Sequence, residues 1–218
     1  MLSRPDLGLW AVADGMGGHE AGEVASALVV GMLEGAGAEA ELSARIAKSG
    51  AVLQKANQLL QSMAQESGSR RTIGTTIVLM AVDRTSFACL WAGDSRAYLA
   101  RDGALAQLTH DHSLVQQLVD SGDIDPGLAA KHPNANVILR AVGAMPELDI
   151  DSVEGEVRAG DVFLLASDGL TRLVSDSEIL DQLGASNLEA AADRLLDMCL
   201  DRKAPDNVTF VIVRMHLQ

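Results

Sequence analysis

The sequence LWAVADGMGGHEAGEVAS occupies positions 9–26 and joins three patterns of different kinds. An apolar run ends in the carboxylate of Asp14, glycines follow at positions 15, 17 and 18, and a helical repeat begins near Glu20. A short apolar run bounded by turn residues is typical of a strand buried on both faces, and acidic residues favour the first turn of a helix. The stretch therefore predicts a buried strand, a glycine turn and a helix, with a carboxylate where the strand ends.

The rest of the chain alternates in blocks between helical and strand-like patterns. Helical spacing of apolar residues extends over 20–33, 43–63, 113–119, 175–183 and 188–200. Strand-like runs cover 72–83, 85–94, 96–103, 104–109, 149–158, 161–167 and 207–216. Short turns between consecutive runs indicate a meander of antiparallel neighbours, and each sheet face needs a cover. We therefore predict an α+β fold, with two antiparallel β-sheets packed as a sandwich and flanked by helix pairs (αββα).

The composition indicates a globular protein with an acidic surface. Of 218 residues, 48% are hydrophobic and 22% are charged, and no shift in composition marks a boundary. We expect one domain over 1–218, with a flap over 113–146 where Gly, Pro and Asn interrupt the regular patterns. The formal charge of −13 argues against nucleic acid or an anionic membrane as the main partner. Either the acidic residues solvate the surface, or some of them cluster to hold cations.

The two cysteines, Cys89 and Cys199, lie in apolar neighbourhoods and match no metal-binding or redox spacing. We interpret both as reduced core residues, which suits a cytoplasmic location. The N-terminal residues include no apolar stretch of signal length, and no segment reaches the ~18 apolar residues of a membrane span. We therefore expect no membrane partner.

Four aspartates stand where predicted strands end or begin. Asp14, Asp94 and Asp168 each follow an apolar run, and Asp206 precedes the last run. If the strands are neighbours the carboxylates converge, which is unfavourable unless cations lie among them. Oxygen ligands suit Mg²⁺ or Mn²⁺, and two such ions about 4 Å apart form a site for in-line displacement at phosphorus. Gly15, without a Cβ, lets its carbonyl approach an ion, although a single Asp-Gly is more typical of a turn.

The ordered motifs DGMGGHEAGEVAS, GTT, GDSRAYLARDG, LTHDHS, SDGL and DNVT resemble the protein phosphatase 2C family. These are the metal-dependent, PPM-type serine/threonine phosphatases, here in their compact bacterial form, and the resemblance covers 9–213. It implies hydrolysis of phosphoserine and phosphothreonine by a water that a binuclear Mn²⁺ or Mg²⁺ centre activates as nucleophile. The implied partners are phosphorylated proteins, the products of bacterial Ser/Thr kinases in signalling.

Carried over residue by residue, the resemblance implies ligands for two ions, or three. Asp14 bridges two ions, and the Gly15 carbonyl binds one of them. Asp168 and Asp206 complete the binuclear site, and Asp94 together with Asp168 holds the third ion. Arg140 matches an arginine of the family's flap: either it meets the substrate phosphate or it only solvates a loop.

The general acid for the leaving alkoxide stays unassigned. Met16 stands where many family members have a histidine that donates a proton. His19, His110 and His112 are candidates by composition only, and the HDH sequence beside a capping serine is more typical of a helix entrance. An unrelated two-metal hydrolase is disfavoured because no histidine ligands stand at suitable spacing.

The N-terminus departs from the family pattern. The resemblance implies a first strand with a phosphate-binding arginine and then an Asn-Glu-Asp segment, whereas only thirteen residues precede Asp14. Arg4 is too near the first predicted strand, 7–13, to replace that arginine, and we expect an unpaired sheet edge beside this strand. Three explanations stay open: a shortened sequence, a natural variant of weak activity, or a catalytically weak or inactive regulatory module that binds phosphoproteins. The four retained aspartates favour the first.

Overall fold

The strands form two large antiparallel sheets and one small one. The computed structural model describes residues 1–37, 39–66, 72–129 and 131–216. In spatial order, the first sheet contains β1 (Leu2–Arg4), β2 (Leu9–Val12), β5 (Ile77–Val82), β6 (Ser86–Ala92) and β9 (Asp151–Glu156). The second contains β11 (Phe210–Arg214), β10 (Val162–Ala166), β7 (Arg96–Arg101) and β8 (Ala104–Gln107). The third pairs β3 (Gly15–Met16) with β4 (Gly74–Thr75).

Seven helices are found in the described ranges, and two pairs of them cover the outer faces of the two large sheets. They are α1 (His19–Leu33), α2 (Leu42–Glu66), α3 (Leu114–Asp120), α4 (Pro126–Ala129), α5 (Asp168–Thr171), α6 (Asp176–Leu183) and α7 (Leu188–Asp201). Helices α1 and α2 bury Val29 and Leu60 against the first sheet. Helices α6 and α7 bury Ile179 and Leu195 against the second. The predicted α+β sandwich with flanking helix pairs is confirmed.

The central strand β5 shows why the apolar runs lack polar alternation. All six of its residues are buried. Ile77 and Leu79 face the core under α1 and α2, whereas Val78 and Met80 face the core between the two sheets. Because successive side chains point to opposite faces, a strand covered on both sides must be apolar at every position.

The predicted meander is correct for two hairpins and wrong at one turn. Strand β5 pairs with β6 and β7 pairs with β8, but β6 and β7 belong to different sheets. The segment Gly93-Asp94-Ser95 therefore carries the chain across the sandwich. A short glycine turn looks the same in sequence whether it closes a hairpin or connects two sheets. The pairing of β6 with β9 and of β7 with β10 shows that this turn connects two sheets.

The first sheet has a strand at the edge where we expected unpaired backbone. Strand β1 pairs antiparallel with β2, with Leu2 opposite Ala11 and Arg4 opposite Leu9. A 3₁₀ turn over Pro5–Leu7 joins the two strands and ends at Gly8, which has a φ of 58°. The edge of β2 is therefore hydrogen-bonded over three residues, and the expectation of an unpaired edge is wrong for this strand.

The region predicted as a flap contains two short helices, α3 and α4. The Oγ of Ser113 accepts a hydrogen bond from the Gln116 backbone at 3.2 Å, which confirms the predicted helix start. The side chain of Gln116 does not complete a capping box but donates to Asp120. A bridge from Val142 to Thr75 ties the end of this region to β4, and a bridge from Ile138 to Ser113 joins the later part of the region to its start.

None of the helices within the described ranges is both long and apolar enough to cross a membrane.

Candidate metal centre

Four aspartates come from both sheets to one end of the sandwich. Asp14 follows β2 and Asp94 follows β6, and these two strands run in the same direction on either side of β5. Asp168 follows β10, and Asp206 lies shortly before β11, which is antiparallel to β10. The sequence predicted that the aspartates converge if their strands are neighbours in one sheet. The structure instead divides these strands between the two sheets. The sandwich itself brings the loops together.

The electrostatics show that the four carboxylates influence one another. Burial and the carboxylates of Asp168, Asp206 and Asp94 raise the pKa of Asp14 to about 8. Burial and Asp168 raise the pKa of Asp94 to about 6, although Arg172 acts in the opposite direction. A carboxyl group with a pKa this high is one whose negative charge is poorly compensated. The cluster is therefore a place where added positive charge is favourable.

Backbone hydrogen bonds fix Asp14 to the segment Thr75-Thr76. The carbonyl of Asp14 accepts from the Thr75 hydroxyl at 2.9 Å and from the Thr76 amide at 2.8 Å. The Asp14 amide donates to the Thr76 hydroxyl at 3.2 Å, and this hydroxyl lies 2.7 Å from that of Ser95. The GTT motif therefore connects the loop of Asp14 with the loop of Asp94.

The glycines after Asp14 allow close backbone approach and an unusual turn. A Cβ at Gly15 would lie 2.0 Å from the carbonyl oxygen of Gly22 in α1, so the residue is fixed by contact with that helix. This contact with α1 is a second reason for glycine at this position, beside the predicted approach of the Gly15 carbonyl to an ion. Gly17 and Gly18 have φ values of 108° and 106°, which confirms that they permit the turn into α1.

A similar close approach joins the loops of Asp168 and Asp206. A Cβ at Gly169 would lie 2.1 Å from the Asn207 carbonyl oxygen. The amide of Thr209 donates to the Ser167 hydroxyl, and the amide of Ser167 donates to the Thr209 carbonyl. Contacts between their backbones therefore join the SDGL and DNVT motifs, which brings the loops of Asp168 and Asp206 together.

His112 holds the turn that leads into Asp94. Its Nδ1 accepts a hydrogen bond from the Gly93 amide at 3.2 Å, and its own amide donates to the Gly93 carbonyl at 2.9 Å. The ring stacks on Trp91 with centroids 6.1 Å apart, and Nε2 lies 3.1 Å from Asp151. Burial lowers the pKa of His112 below its ordinary value, consistent with a neutral ring that accepts at Nδ1. The residue is structural and gave no sequence signal of this role.

Arg140 pairs with carboxylates outside the cluster. Its Nη1 lies 3.0 Å from Asp149 and 2.9 Å from Asp151, so it supports the same network as His112. Among the described residues, one cleft is lined by Asp94 and Asp168 and another by Asp14 and Asp206. Arg140 lines neither of these two clefts. These contacts favour a positioning role for Arg140 and give no support to its expected contact with substrate phosphate.

The other basic candidates are also accounted for. Arg4 pairs with Asp6 at 2.7 Å at the opposite end of β2 from Asp14, so it does not replace a phosphate-binding arginine. His110 pairs with Asp120 at the surface. The side chain of His19 lies outside the described residues. The thiols of Cys89 and Cys199 are buried and free, which confirms their interpretation as reduced core residues.

Arg172 is a functional candidate that the sequence reasoning missed. It follows α5 directly, and its Nη2 lies 2.8 Å from Asp168 and 3.3 Å from Asp94. The same guanidinium donates to the side chain of Asn136 and to the carbonyl of Ala135. The spacing of four residues from Asp168 was the only available signal, because such pairs face each other on a helix.

The donor chemistry of the cluster fits a hard divalent cation. In the part of the chain that the structure describes, no three His, Cys, Asp or Glu side chains are grouped as a ready set of metal ligands. The raised pKa values nevertheless show that the carboxylates lie within electrostatic reach of one another. Carboxylate and carbonyl oxygens are the ligands that Mg²⁺ and Mn²⁺ prefer.

Comparison with known proteins identifies relatives over nearly the whole chain. Serine/threonine protein phosphatase PstP of Mycobacterium tuberculosis is 39% identical over 204 residues, which cover 94% of this chain and 40% of that protein. The solved structure of PppA, a key regulatory component of T6SS in Pseudomonas aeruginosa, is 41% identical. It matches with a TM-score of 0.91 and covers 98% of this chain and 88% of that one.

A further solved structure is that of the catalytic domain of PstP in complex with two manganese ions. It is 38% identical, has a TM-score of 0.83, and covers 94% of this chain and 86% of that one. The family model for protein phosphatase 2C matches residues 3–204. The match includes three of the four aspartates, and Asp206 follows its end by two positions. The chain therefore belongs to the protein phosphatase 2C family.

Proposed function

We propose that this chain is a metal-dependent protein phosphatase that hydrolyses phosphoserine and phosphothreonine. The observation that carries the proposal is the cluster of Asp14, Asp94, Asp168 and Asp206, in which mutual repulsion and burial raise the pKa of Asp14 to about 8. Such a cluster destabilises a fold unless cations bind to it. Relatives named serine/threonine phosphatases support the choice of substrate class.

The same carboxylates are the ligands we assign to the cations. Asp14, Asp168 and Asp206, with the Gly15 carbonyl, would hold two Mn²⁺ or Mg²⁺ ions, and Asp94 with Asp168 would hold a third. When bound, such ions activate a water as nucleophile and offset the charge of the phosphoryl oxygens. The manganese bound by the PstP catalytic domain supports this assignment.

The chain's own groups orient the site through rigid backbone. The Thr75-Thr76 segment fixes the peptide of Asp14, and His112 fixes Gly93, which precedes Asp94, through its ring and its backbone amide. Both cysteines are buried, and the pKa of Cys89 is raised to about 12 by burial, so no thiolate is available for a covalent route. We assign no side chain as general acid.

The proposal extends to partners and setting. We infer phosphorylated proteins as substrates, supplied by bacterial-type Ser/Thr kinases, in cytoplasmic signalling. The chain spans 40% of the length of the first curated relatives that it matches. The inference therefore concerns only the region that the chain shares with them.

The test is hydrolysis of a phosphothreonine peptide with Mn²⁺ and with EDTA. Asp168→Asn is compared with Asp197→Asn, which removes an exposed carboxylate on α7 that lines neither cleft of the cluster. We expect Mn²⁺-dependent turnover that falls at least about 100-fold in Asp168→Asn, because that change removes a ligand, and stays unchanged in the control. Folded protein that binds Mn²⁺ and the phosphopeptide without turnover would instead identify the non-catalytic regulatory module.

A further inference from the structure

Arg172 lies between the aspartate cluster and the flap. On one side its Nη2 contacts the Oδ2 atoms of Asp168 and Asp94, at 2.8 Å and 3.3 Å. On the other side the guanidinium donates to the Asn136 side chain and the Ala135 carbonyl, two flap residues between α4 and the bridge at Ile138. The Asp94 side chain is only 8% exposed, so Arg172 pairs with a carboxylate that is largely shielded from water.

Arg172 holds a permanent positive charge against the two Oδ2 atoms that a cation bound to Asp94 and Asp168 would use as ligands. A guanidinium stays protonated throughout the physiological pH range, so it cannot be neutralised to make room. A divalent ion bound to the same Oδ2 atoms would meet both steric overlap and strong repulsion from it. The two occupants of the Asp94 and Asp168 pair are therefore mutually exclusive.

If a cation displaces the Arg172 side chain from Asp94 and Asp168, the contacts of Arg172 with the flap change as well. Its hydrogen bonds to Ala135 and Asn136 join the flap to α5, and one side chain supplies both of them. The flap lines the same cleft as the aspartates, through Pro126, Ala129 and Ala135. A side chain that leaves the carboxylates by turning about its own bonds also changes its donor directions toward these flap residues.

We propose that Arg172 is a built-in competitor of divalent cations at Asp94 and Asp168, and that cation binding at this pair releases the flap at Ala135 and Asn136. The inference rests on the proposed function, because it takes these aspartates as cation ligands. It makes the Asp94 and Asp168 site the weakest of the cation sites in the chain. Cation concentration then sets the position of the flap as well as the charge of the site.

The experiment counts bound Mn²⁺ by electron paramagnetic resonance during titration of the full chain, in which only free Mn²⁺ gives the sharp signal. Arg172→Gln keeps a hydrogen-bonding side chain and removes the charge. The control, Arg84→Gln, removes an exposed arginine from the β5–β6 turn at the other end of the sandwich. Hydrogen exchange of the Ala135 and Val137 amides, which donate to His132 and Asn134, reports on the flap.

We expect the weakest Mn²⁺ dissociation constant to fall at least tenfold in Arg172→Gln, with the tighter sites changed less than threefold and the control unchanged. We expect flap exchange to rise with Mn²⁺ in the wild type and to be fast without Mn²⁺ in the variant. Tight binding of other ions with the weakest constant unchanged or raised would overturn the inference alone. Absence of Mn²⁺ binding to either protein would overturn both it and the proposed function.

Discussion

At the scale of single residues, the pKa of Asp14 is raised further than that of Asp94, to about 8 against about 6. Its pKa of about 8 means that the folded chain, without cations, must hold this carboxyl largely protonated at pH 7. Folding is weakened to the extent that the pKa is raised above the unfolded value of about 4. The residue is thus retained at the expense of stability, which is typical of a functional position.

We predict that Asp14→Asn stabilises the cation-free chain by about 1–3 kcal/mol at pH 7, because a neutral isostere removes the protonation requirement. Urea unfolding in EDTA measures the effect. The same variant should lose the stabilisation that saturating Mn²⁺ gives the wild type. A variant that is less stable than the wild type in EDTA would contradict this account of the site.

Two glycines allow a matched test of backbone constraint. Gly93 has a φ of 123°, and a Cβ there would lie 2.6 Å from the Cβ of Thr76. Gly31 lies within α1 with no heavy atom within 4 Å of such a Cβ. We expect Gly93→Ala to lower the free energy of unfolding by about 2–4 kcal/mol and Gly31→Ala to raise it by about 0.5–1 kcal/mol. Equal effects in thermal unfolding would show that the Gly93 turn is not constrained.

At the scale of elements, the crossing from β6 to β7 decides where Asp94 lies. His112 binds both the amide and the carbonyl of Gly93 in this crossing. His112→Asn keeps an acceptor near the Nδ1 position, whereas His112→Leu has a similar size and no acceptor. An unsatisfied buried amide costs about 1–3 kcal/mol, so the Leu variant should be less stable by that amount.

The His112 pair also separates positioning from simple stability. Both variants lose the stacking on Trp91 and the contact with Asp151, so these losses cancel in the comparison. We expect Mn²⁺ affinity, measured by calorimetry, to fall at least about fivefold in His112→Leu relative to His112→Asn. Equal affinities in the two variants would mean that the Gly93 hydrogen bond does not position Asp94.

The elements were more predictable from sequence than their pairing. The long periodic segments that became α1, α2 and α7 and the apolar run of β5 were recognisable, because burial on one stripe or on both faces dictates their pattern. The short elements β1, β3 and α5 were missed, since two to four residues hold too little periodicity to detect. The β6–β7 crossing was misread because sheet membership depends on long-range contacts.

The site followed the same division. The four aspartates were predicted from their places at strand ends and from the family resemblance, and the sandwich brings them to one end. Arg172 and His112 were not assigned their contacts, because both act through residues that are distant in sequence. The packing of Gly15 against Gly22 was not predicted, since a helix backbone that approaches from elsewhere in the fold leaves no trace in the local sequence.

At the scale of the whole molecule, the end of the sandwich away from the aspartates is held by charge pairing. Arg101, at the end of β7, contacts Asp161 at 2.6 Å and also donates to the Glu156 carbonyl of the other sheet at 2.7 Å. Asp161 is buried, yet hydrogen bonds from Arg101 and the Arg158 amide outweigh burial and hold its pKa below the ordinary value. The pair with Asp161 lies within the second sheet, and it orients the guanidinium whose hydrogen bond to Glu156 joins the two sheets.

We predict that Asp161→Asn lowers the free energy of unfolding by about 3 kcal/mol at pH 7, because it leaves Arg101 unpaired. A lowered carboxyl pKa stabilises the fold fully above the unfolded pKa and loses this contribution as pH falls through the folded pKa. The difference between wild type and variant should therefore shrink below about pH 4. Urea unfolding across pH measures it.

The control for this prediction is Asp6→Asn, which breaks the exposed pair with Arg4. Exposed pairs contribute about 0–1 kcal/mol, so this variant should unfold nearly as the wild type does. A difference for Asp161→Asn that stays constant down to pH 2 would mean that the charge of this carboxylate does not stabilise the fold through Arg101.

The burial of both cysteines has a practical consequence for observing this molecule at work. Thiol-reactive dyes require an accessible thiolate, and Cys89 and Cys199 each have 0% exposed surface. A cysteine introduced in place of Leu128, which is 59% exposed on α4, would take a fluorophore selectively in an otherwise unchanged chain. The fluorescence of a single labelled molecule could then follow the flap in real time, without first removing the native cysteines.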